Sequence, residues 1–202
     1  MEEESTFVQL TEEIDRLNAK LKATEDGFNL QQLKLIMLNN ENENLIKRFE
    51  IIKTRPVKTE KIRDWAMQHF GAQMIIHERA ERLMTEVRNE DVDLSLLCDS
   101  LEFLANEYWE LLNGIIDIDD CQRLCSVFYN RPFEIGECGE LNIQAYPEDY
   151  IVTYNNLDVE LTHYMSVCNN HQHQVSIYFH YDETDQTILV GSMPGHLRTV
   201  SK

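Results

Sequence analysis

The chain has 202 residues, of which 43% are hydrophobic and 27% charged, a composition typical of a folded protein rather than a disordered one. Its net charge of -18 is unevenly distributed, because residues 89–197 contain twenty Asp and Glu against two basic residues, Arg123 and Arg131. A surface of this sign repels phosphate backbones and attracts basic proteins. We therefore expect a basic protein partner and no direct binding of nucleic acid.

The sequence also indicates a compartment. No apolar run approaches the roughly 20 residues that span a bilayer, and the acidic start MEEESTFVQL is unlike a secretory signal. Five scattered cysteines, an odd number, predict reduced thiols rather than a disulfide framework: Cys98, Cys121, Cys125, Cys138 and Cys168. We expect a cytoplasmic protein that makes no membrane contact and needs no cofactor.

Residues 1–55 carry a heptad pattern. Apolar residues recur at alternating steps of three and four, which is typical of a coiled coil, and the polar Asn42 at one core position favours a fixed register and two strands. We interpret the segment as an oligomerisation stalk and favour a parallel dimer. Its core positions include Phe7, Leu10, Ile14, Leu17, Leu21, Leu35, Leu38, Asn42, Leu45 and Phe49.

One segment of the stalk supports a different structure. The residues TEDG, 24–27, are typical of a turn, because glycine costs about 1 kcal/mol inside a helix and Asp-Gly favours left-handed backbone. An antiparallel helical hairpin of residues 5–25 and 28–53 is therefore an open alternative. Apolar residues outside the heptad core widen the surface at residues 28–38 and indicate further packing there.

A helical region is predicted for residues 56–131. Arg55-Pro56 ends the stalk, because proline lacks the amide donor and the residue before it avoids helical geometry. Apolar periodicity then predicts helices at 59–87, 92–113 and 117–129. Gly114 follows the second of them, at a position suited to a helix end.

After Pro132 the apolar period changes, and residues 132–202 are predicted to form a small α+β domain. LNIQAY and YIVTY alternate like short strands, NNLDVELTHYMSVC places apolar residues on one helical face, and QVSIYFHY and TILVG form two further strands joined by the polar turn DETDQ. The expected fold class is α+β, with a coiled coil, a helical middle and a small antiparallel β-β-α-β-β module.

The histidines of this domain are candidate catalytic residues. Alternation along QVSIYFHY puts Tyr178 and His180 on the face opposite the apolar one, where His163 and His196 could join them. Histidines near neutral pKa and a tyrosine could supply the acid and base steps of a metal-independent ribonuclease. Such an enzyme also needs cations to hold phosphate, and the nearby positive side chains are few, Arg198 and Lys202.

Metal sites and standard catalytic motifs lack support in the sequence. His163, Cys168, His171 and His173 are nitrogen and sulfur donors of the kind that zinc prefers, but no paired C-x-x-C accompanies them. The chain also lacks a phosphate-binding glycine loop, G-x-S-x-G and H-E-x-x-H. We expect no bound metal.

The segment VSIYFHYDETDQTILVGSMPGHLRT resembles the end of a group of bacterial proteins without an assigned reaction, whose ending has the form IYF-x-x-D-x-x-x-x-x-V-x-V-G-x-x-P-x-H-L-x-T. The matching residues are Ile177, Tyr178, Phe179, Asp182, Ile188, Val190, Gly191, Pro194, His196, Leu197 and Thr199. LEFLANEYWELLNGII is also similar to that group's helical region. The resemblance implies a bacterial or mobile-element origin and a cytosolic location. The strand pair also resembles the sheet of RelE-type ribonuclease toxins, which are basic where this chain is acidic.

Three functions follow from these observations as hypotheses. The first is an oligomeric, acidic interaction protein of a bacterial conflict system, either antiphage defence or toxin–antitoxin, that binds a basic or nucleic-acid-handling protein. The second is a ribonuclease-like effector that uses the C-terminal histidines. The third is a DNA mimic that inhibits a nucleic-acid enzyme.

Overall fold

The chain is mixed α and β and divides into two compact units, residues 1–53 and 54–202. The structure, a computed structural model, describes the backbone of residues 2–169 and 173–200, and the side chains of residues 10, 13–168 and 174–200. The predicted α+β class is thus confirmed. Within the described residues, no helix combines the length and the apolar character that crossing a membrane requires.

The first unit is one uninterrupted helix, α1, Glu2–Lys53. It passes through Gly27 without a break, so the antiparallel hairpin considered above is not formed in this structure. A single glycine costs only about 1 kcal/mol relative to alanine, which the long helix-forming flanks tolerate. Thr24 stays helical, with its hydroxyl donating to the Lys20 carbonyl at 2.8 Å. The side chain of Phe7 lies outside the described residues.

The second unit starts with helices and one short strand. The elements are a 3-10 turn Thr59–Lys61, α2 Ile62–Phe70, β1 Met74–Ile76, α3 Glu78–Glu86, a 3-10 turn Asn89–Asp91, α4 Leu94–Phe103, a π-helical turn Leu104–Tyr108, α5 Trp109–Leu112 and α6 Ile118–Tyr129.

The single helix predicted for 59–87 is wrong, because α2 ends at Phe70 and the chain then enters β1 through a turn that begins at Gly71. A Cβ at Gly71 would lie 2.6 Å from the Met67 carbonyl oxygen, so this position suits glycine. The two later helices fall close to their predicted positions.

The rest of the second unit contains most of the strands. Its elements are β2 Glu134–Glu137, α7 Glu140–Ala145, α8 Pro147–Tyr150, β3 Ile151–Tyr154, β4 Leu157–Glu160, β5 His163–Asn169, β6 His173–Asp182 and β7 Thr187–Ser192. The predicted β-β-α-β-β order is therefore wrong in two places. LNIQAY forms α7 rather than a strand, and the helix predicted after Tyr154 is replaced by β4 and β5.

Both errors have local causes. Asn155 and Asn156 have φ of 53° and 63°, so they form a left-handed two-residue turn that joins β3 to β4 as a hairpin. In LNIQAY, Ile143 and Tyr146 are three residues apart and both pack on the core, which a helical turn allows and a strand does not, because a strand would point them to opposite faces.

The main sheet has the strand order β1-β7-β6-β5-β2. β1 pairs with β7 in parallel, with Ile75 opposite Leu189, whereas the other pairs are antiparallel. β1 comes from the predicted helical middle and the remaining strands from the predicted C-terminal domain. The expected boundary between residues 131 and 132 therefore lies inside one compact unit.

Both faces of this sheet are covered. One face packs against the helices, as shown by the edge-to-face contact of Phe179 with Tyr108 and by the Tyr181 hydroxyl, which donates to Asn113 at 3.0 Å. The other face packs against β3, β4, α7 and α8, a layer that we call the cap. The buried residues at this second interface are Tyr150, Val152, Leu161, Tyr178 and Leu189.

Candidate functional site

The C-terminal segment, residues 193–200, follows β7 and crosses the cap side of the sheet. The Ser176 amide donates to the Pro194 carbonyl at 2.8 Å, and the Tyr150 hydroxyl donates to the Arg198 carbonyl at 2.9 Å. These two bonds hold the segment at a central strand and at the cap. His196 lies between Pro194 and Arg198, the two residues that make these hydrogen bonds.

Tyr178 and His196 form a hydrogen-bonded pair here. The Tyr178 oxygen lies 2.9 Å from His196 Nδ1 and also accepts from the Leu197 amide at 3.3 Å. Burial raises the pKa of Tyr178 to about 12, so its hydroxyl stays protonated near pH 7. The contact pins the C-terminal segment to the sheet.

Tyr178 does not occupy the position expected from the strand pattern. It is 2% exposed, beneath the cap, where its ring meets Tyr150 edge to face at 5.8 Å. The expectation that it looks outward from an open face is wrong, because the cap covers the side of the sheet that alternation left polar. A shift in register between Tyr178 and Phe179 also interrupts the pairing with β7.

A cavity of about 250 Å³ adjoins the pair, with Cys138, Tyr150 and Tyr164 in its wall. Burial raises the pKa of Cys138 and of Tyr150 to about 12. Near pH 7 the Cys138 thiol and the Tyr150 hydroxyl are therefore neutral. They can donate hydrogen bonds, but they supply neither a thiolate nor a phenolate nucleophile.

The other two catalytic candidates lie apart from this pair. His163 is on the helix side of the sheet, where its ring stacks on Phe179 at 5.5 Å and its Nδ1 lies 2.9 Å from the Thr162 hydroxyl. Burial lowers the pKa of His163. His180 lines a separate cavity of about 60 Å³ beside Leu189. The structure thus brings Tyr178 and His196 together and leaves the other two elsewhere.

Arg198, two residues after His196, is already bound to two carboxylates. Arg198 bonds Asp149 at 2.6 and 3.0 Å and Glu148 at 2.6 Å, and its guanidinium lies 4.7 Å from the centre of the Tyr146 ring. Hydrogen bonds to Arg198 lower the pKa of Asp149, and hydrogen bonds to its own backbone and to Arg198 lower that of Glu148. A phosphate at Arg198 would have to displace two ionised carboxylates, which disfavours the ribonuclease hypothesis.

Sequence reasoning missed Arg79, the residue that fastens the cap to the sheet. Its guanidinium donates to the carbonyls of Gly191 at 2.9 Å, Glu148 at 2.9 Å, Ile151 at 3.1 Å and Asp149 at 2.7 Å. Burial lowers its pKa. The sequence offers no signal for this role, because the four carbonyls belong to the main chain and lie about seventy or more residues away.

The exposed carboxylates of the second unit are the next candidate feature. Residues 132–197 contain no Lys or Arg, so the acidic side chains here have no local basic neighbours in sequence. Five of them are exposed on β2, α7 and β4: Glu134, Glu137, Glu140, Asp158 and Glu160. We call these five residues the acidic set. Such a set favours approach of a positively charged surface.

The helix α1 carries the last candidate feature, an apolar stripe along the predicted heptad core. Its described apolar a and d side chains are from 50% exposed at Leu38 to 64% exposed at Phe49. Isolated apolar residues on a surface are ordinary, whereas a continuous row of them marks a contact site. The members of this stripe are Leu10, Ile14, Leu17, Leu21, Phe28, Leu35, Leu38, Leu45, Phe49 and Ile52.

The described residues hold no group of three or more His, Cys, Asp or Glu side chains placed to bind a metal ion. Of the possible zinc donors, His171 and the His173 side chain lie outside the described part of the chain, and Cys168 is exposed. A comparison of the chain with protein-family models, with curated proteins and with solved structures finds no match.

Proposed function

We propose that the protein is a non-catalytic interaction protein in which two copies pair through α1 and the acidic second units bind a basic protein. The observation that carries this proposal is the exposed apolar stripe of α1. A helix of 52 residues with such a stripe gains stability by burying it, at about 1.5–3 kcal/mol for each large side chain fully covered. We take a second copy of the same helix as the occupant.

Two residues favour a parallel pair in register. Asn42 is at an a position, and in a parallel dimer the two copies meet and can hydrogen bond, whereas in an antiparallel pair each would face a d position, most of which are apolar. Lys20 is at g and Glu25 is at the e position of the next heptad, so they would attract each other across a parallel interface. Both positions are exposed in the single helix.

The acidic set supports the choice of a basic partner. A dimer would carry two such units, and two sites that bind together raise the apparent affinity without any new contact. The neutral tyrosine and cysteine groups at the Tyr178–His196 pair, and the occupied Arg198, favour binding over catalysis. The proposed setting is a bacterial conflict system, antiphage defence or toxin–antitoxin, and it depends on the resemblance of the C-terminal segment.

The pairing is tested by light scattering on the full chain. We expect twice the chain mass of 23.8 kDa for the unmodified protein. Leu38→Glu places a charge in the stripe and should shift the mass towards one chain, whereas Asn40→Glu, two residues away at an outer heptad position, should leave the dimer intact. A monomeric unmodified chain, or equal effects of the two variants, would refute pairing through α1.

The partner and the absence of catalysis are tested together. We expect a basic protein to co-purify with the full chain from its host at low salt, and to be lost when Glu134, Glu137 and Glu140 are changed to Gln. Purified protein is also incubated with RNA in EDTA. Cleavage that disappears in His196→Ala, with the fold intact by tryptophan fluorescence, would establish the ribonuclease hypothesis instead.

A further inference from the structure

A cavity of the second unit lies between the helical run 94–112, α6 and the chain leading into β2. Its volume is about 670 Å³, inside the range of about 300–1,000 Å³ found for small-molecule sites. The surface is mainly apolar. The apolar side chains that line it are Phe103, Tyr108, Leu111, Ile118, Phe133 and Ile135.

The aromatic wall of this cavity is fixed by contacts behind it. Phe103 and Phe133 stack with their centres 4.4 Å apart, and Tyr129 meets both of them edge to face. The Tyr129 hydroxyl donates to Glu107 at 2.9 Å, and Glu107 is a 1% exposed carboxylate inside the π-helical turn. A buried carboxylate is costly, and π-helical turns occur frequently at functional sites. The cavity is therefore preformed rather than a gap left by loose packing.

Arg131 gives the cavity its charge. The guanidinium donates from Nε to the Tyr129 carbonyl at 3.2 Å, and its Nη2 lies 3.6 Å from Asp99. Asp99 also contacts Arg55, at 2.7 Å. Its ion pair with Arg131, at 3.6 Å, is therefore the longer of the two. Arg131 therefore retains donor capacity at the cavity, in a region where basic residues are rare.

The remaining polar groups of the lining are uncharged. Cys121 and Cys125 face the cavity from α6, and burial raises the pKa of both thiols, that of Cys121 to about 11. The others are Gln122, Ser126 and Asn130. A ligand would thus meet an apolar aromatic wall, neutral hydrogen-bonding groups and one guanidinium.

We infer that this cavity binds a small aromatic carboxylate, with its ring against Phe103 and Phe133 and its carboxylate at Arg131. The ring matches the stacked aromatic wall, where offset or edge contacts add about 0.5–1.5 kcal/mol beyond the buried area. The carboxylate matches the planar donor fork of arginine, which binds such groups in a bidentate manner. This inference stands independently of the proposed dimer and of its basic partner.

The test uses calorimetric titration of the full chain with 2-naphthoate and with its neutral analogue 2-naphthamide. We expect saturable binding of one naphthoate per chain, at least about tenfold tighter than naphthamide, since a charge-assisted pair replaces a neutral contact. Arg131→Gln should remove this preference. Arg123→Gln is the matched control, because Arg123 is exposed and paired with Asp120 at 2.8 Å, and it should retain the preference.

A second pair of variants keeps the inference falsifiable if Arg131→Gln does not fold. Ser126 lines the cavity and Val127 is 67% exposed beside it on α6, so Ser126→Phe should fill the cavity and weaken naphthoate binding at least tenfold, whereas Val127→Phe should not. The inference is overturned if the unmodified chain shows no saturable binding. It is also overturned if naphthamide binds as tightly as naphthoate, or if the two phenylalanine variants behave alike.

Discussion

Replacing Arg79 by lysine tests whether this residue holds the cap on the sheet. Arginine donates four hydrogen bonds from a planar fork to carbonyls of two separate segments, at 2.7 to 3.1 Å. Lysine keeps the charge but has a single nitrogen, which cannot reach both segments. At least two carbonyls would then lose their partner.

The size of the effect follows from these bonds. A hydrogen bond to a charged group contributes about 1.5–3 kcal/mol, so a lysine that keeps two of the four bonds lowers the free energy of unfolding by about 3–6 kcal/mol. In a unit of this size that loss lowers Tm by roughly 6–24 °C. The matched control is Arg82→Lys, because Arg82 lies on the same helix with an exposed side chain and a 3.9 Å ion pair to Glu86. We expect less than about 0.5 kcal/mol for it.

Urea titration followed by tryptophan fluorescence measures this loss. The chain has two tryptophans, Trp65 and Trp109, and both are in the second unit, so the signal reports the unfolding of that unit and not of α1. The reasoning is refuted if Arg79→Lys loses no more stability than Arg82→Lys. It is also refuted if Arg79→Lys loses stability without any increase in hydrogen exchange at Gly191 and Ile151.

Three further predictions concern protonation and pairing. Burial holds the pKa of His163 below 6.5, so below about pH 6.5 the unfolded chain binds more protons at this residue than the folded chain does. The free energy of unfolding should therefore fall as the pH is lowered through this range. His163→Gln should reduce that fall, as measured by urea titrations at a series of pH values. Lys20→Glu should weaken the α1 dimer, because it places an acid opposite Glu25 of the other copy. Adding Glu25→Lys should restore the dimer, as measured by sedimentation. A double variant that stays as weak as the single one would contradict a parallel pair. Alkylation of the folded protein at pH 8, mapped by mass spectrometry, should label the exposed Cys168 at least about 100-fold faster than Cys121. The reason is that Cys121 is buried and its pKa of about 11 leaves little thiolate at this pH. Equal labelling rates would show that Cys121 is not buried.

The sequence was informative where one pattern ran long. The heptads of α1, the helices near 92–113 and 117–129, and the strands QVSIYFHY and TILVG each repeat a single period over many residues, and the structure has a helix or strand at each of them. Pairing along α1 stays a prediction. Short segments were predicted less well, because three or four apolar residues fit a helical turn and a strand equally.

The site was harder to predict than the elements. The Tyr178–His196 contact follows from the path of residues 193–200, which leave the sheet and return over it. The burial of Tyr178 depends on a cap that the sequence pattern placed elsewhere, since the Asn155-Asn156 turn was taken for a helix start. That pair of asparagines was the available signal, because consecutive left-handed residues favour a tight hairpin.

The place of β7 in the sheet has a consequence for how the protein is made. This strand, Thr187–Ser192, lies between β1 and β6 and pairs with β1, Met74–Ile76, from which it is far apart in sequence. During synthesis, α1 leaves the ribosome before the second unit and can form by itself, whereas β1 has no strand partner until β7 has been translated. A premature stop before residue 187 would therefore remove the strand that joins the two halves of the sheet. A truncated chain of that kind would keep its apolar helix while exposing unpaired strand edges, which makes it a substrate for chaperones and proteases rather than a shorter working protein.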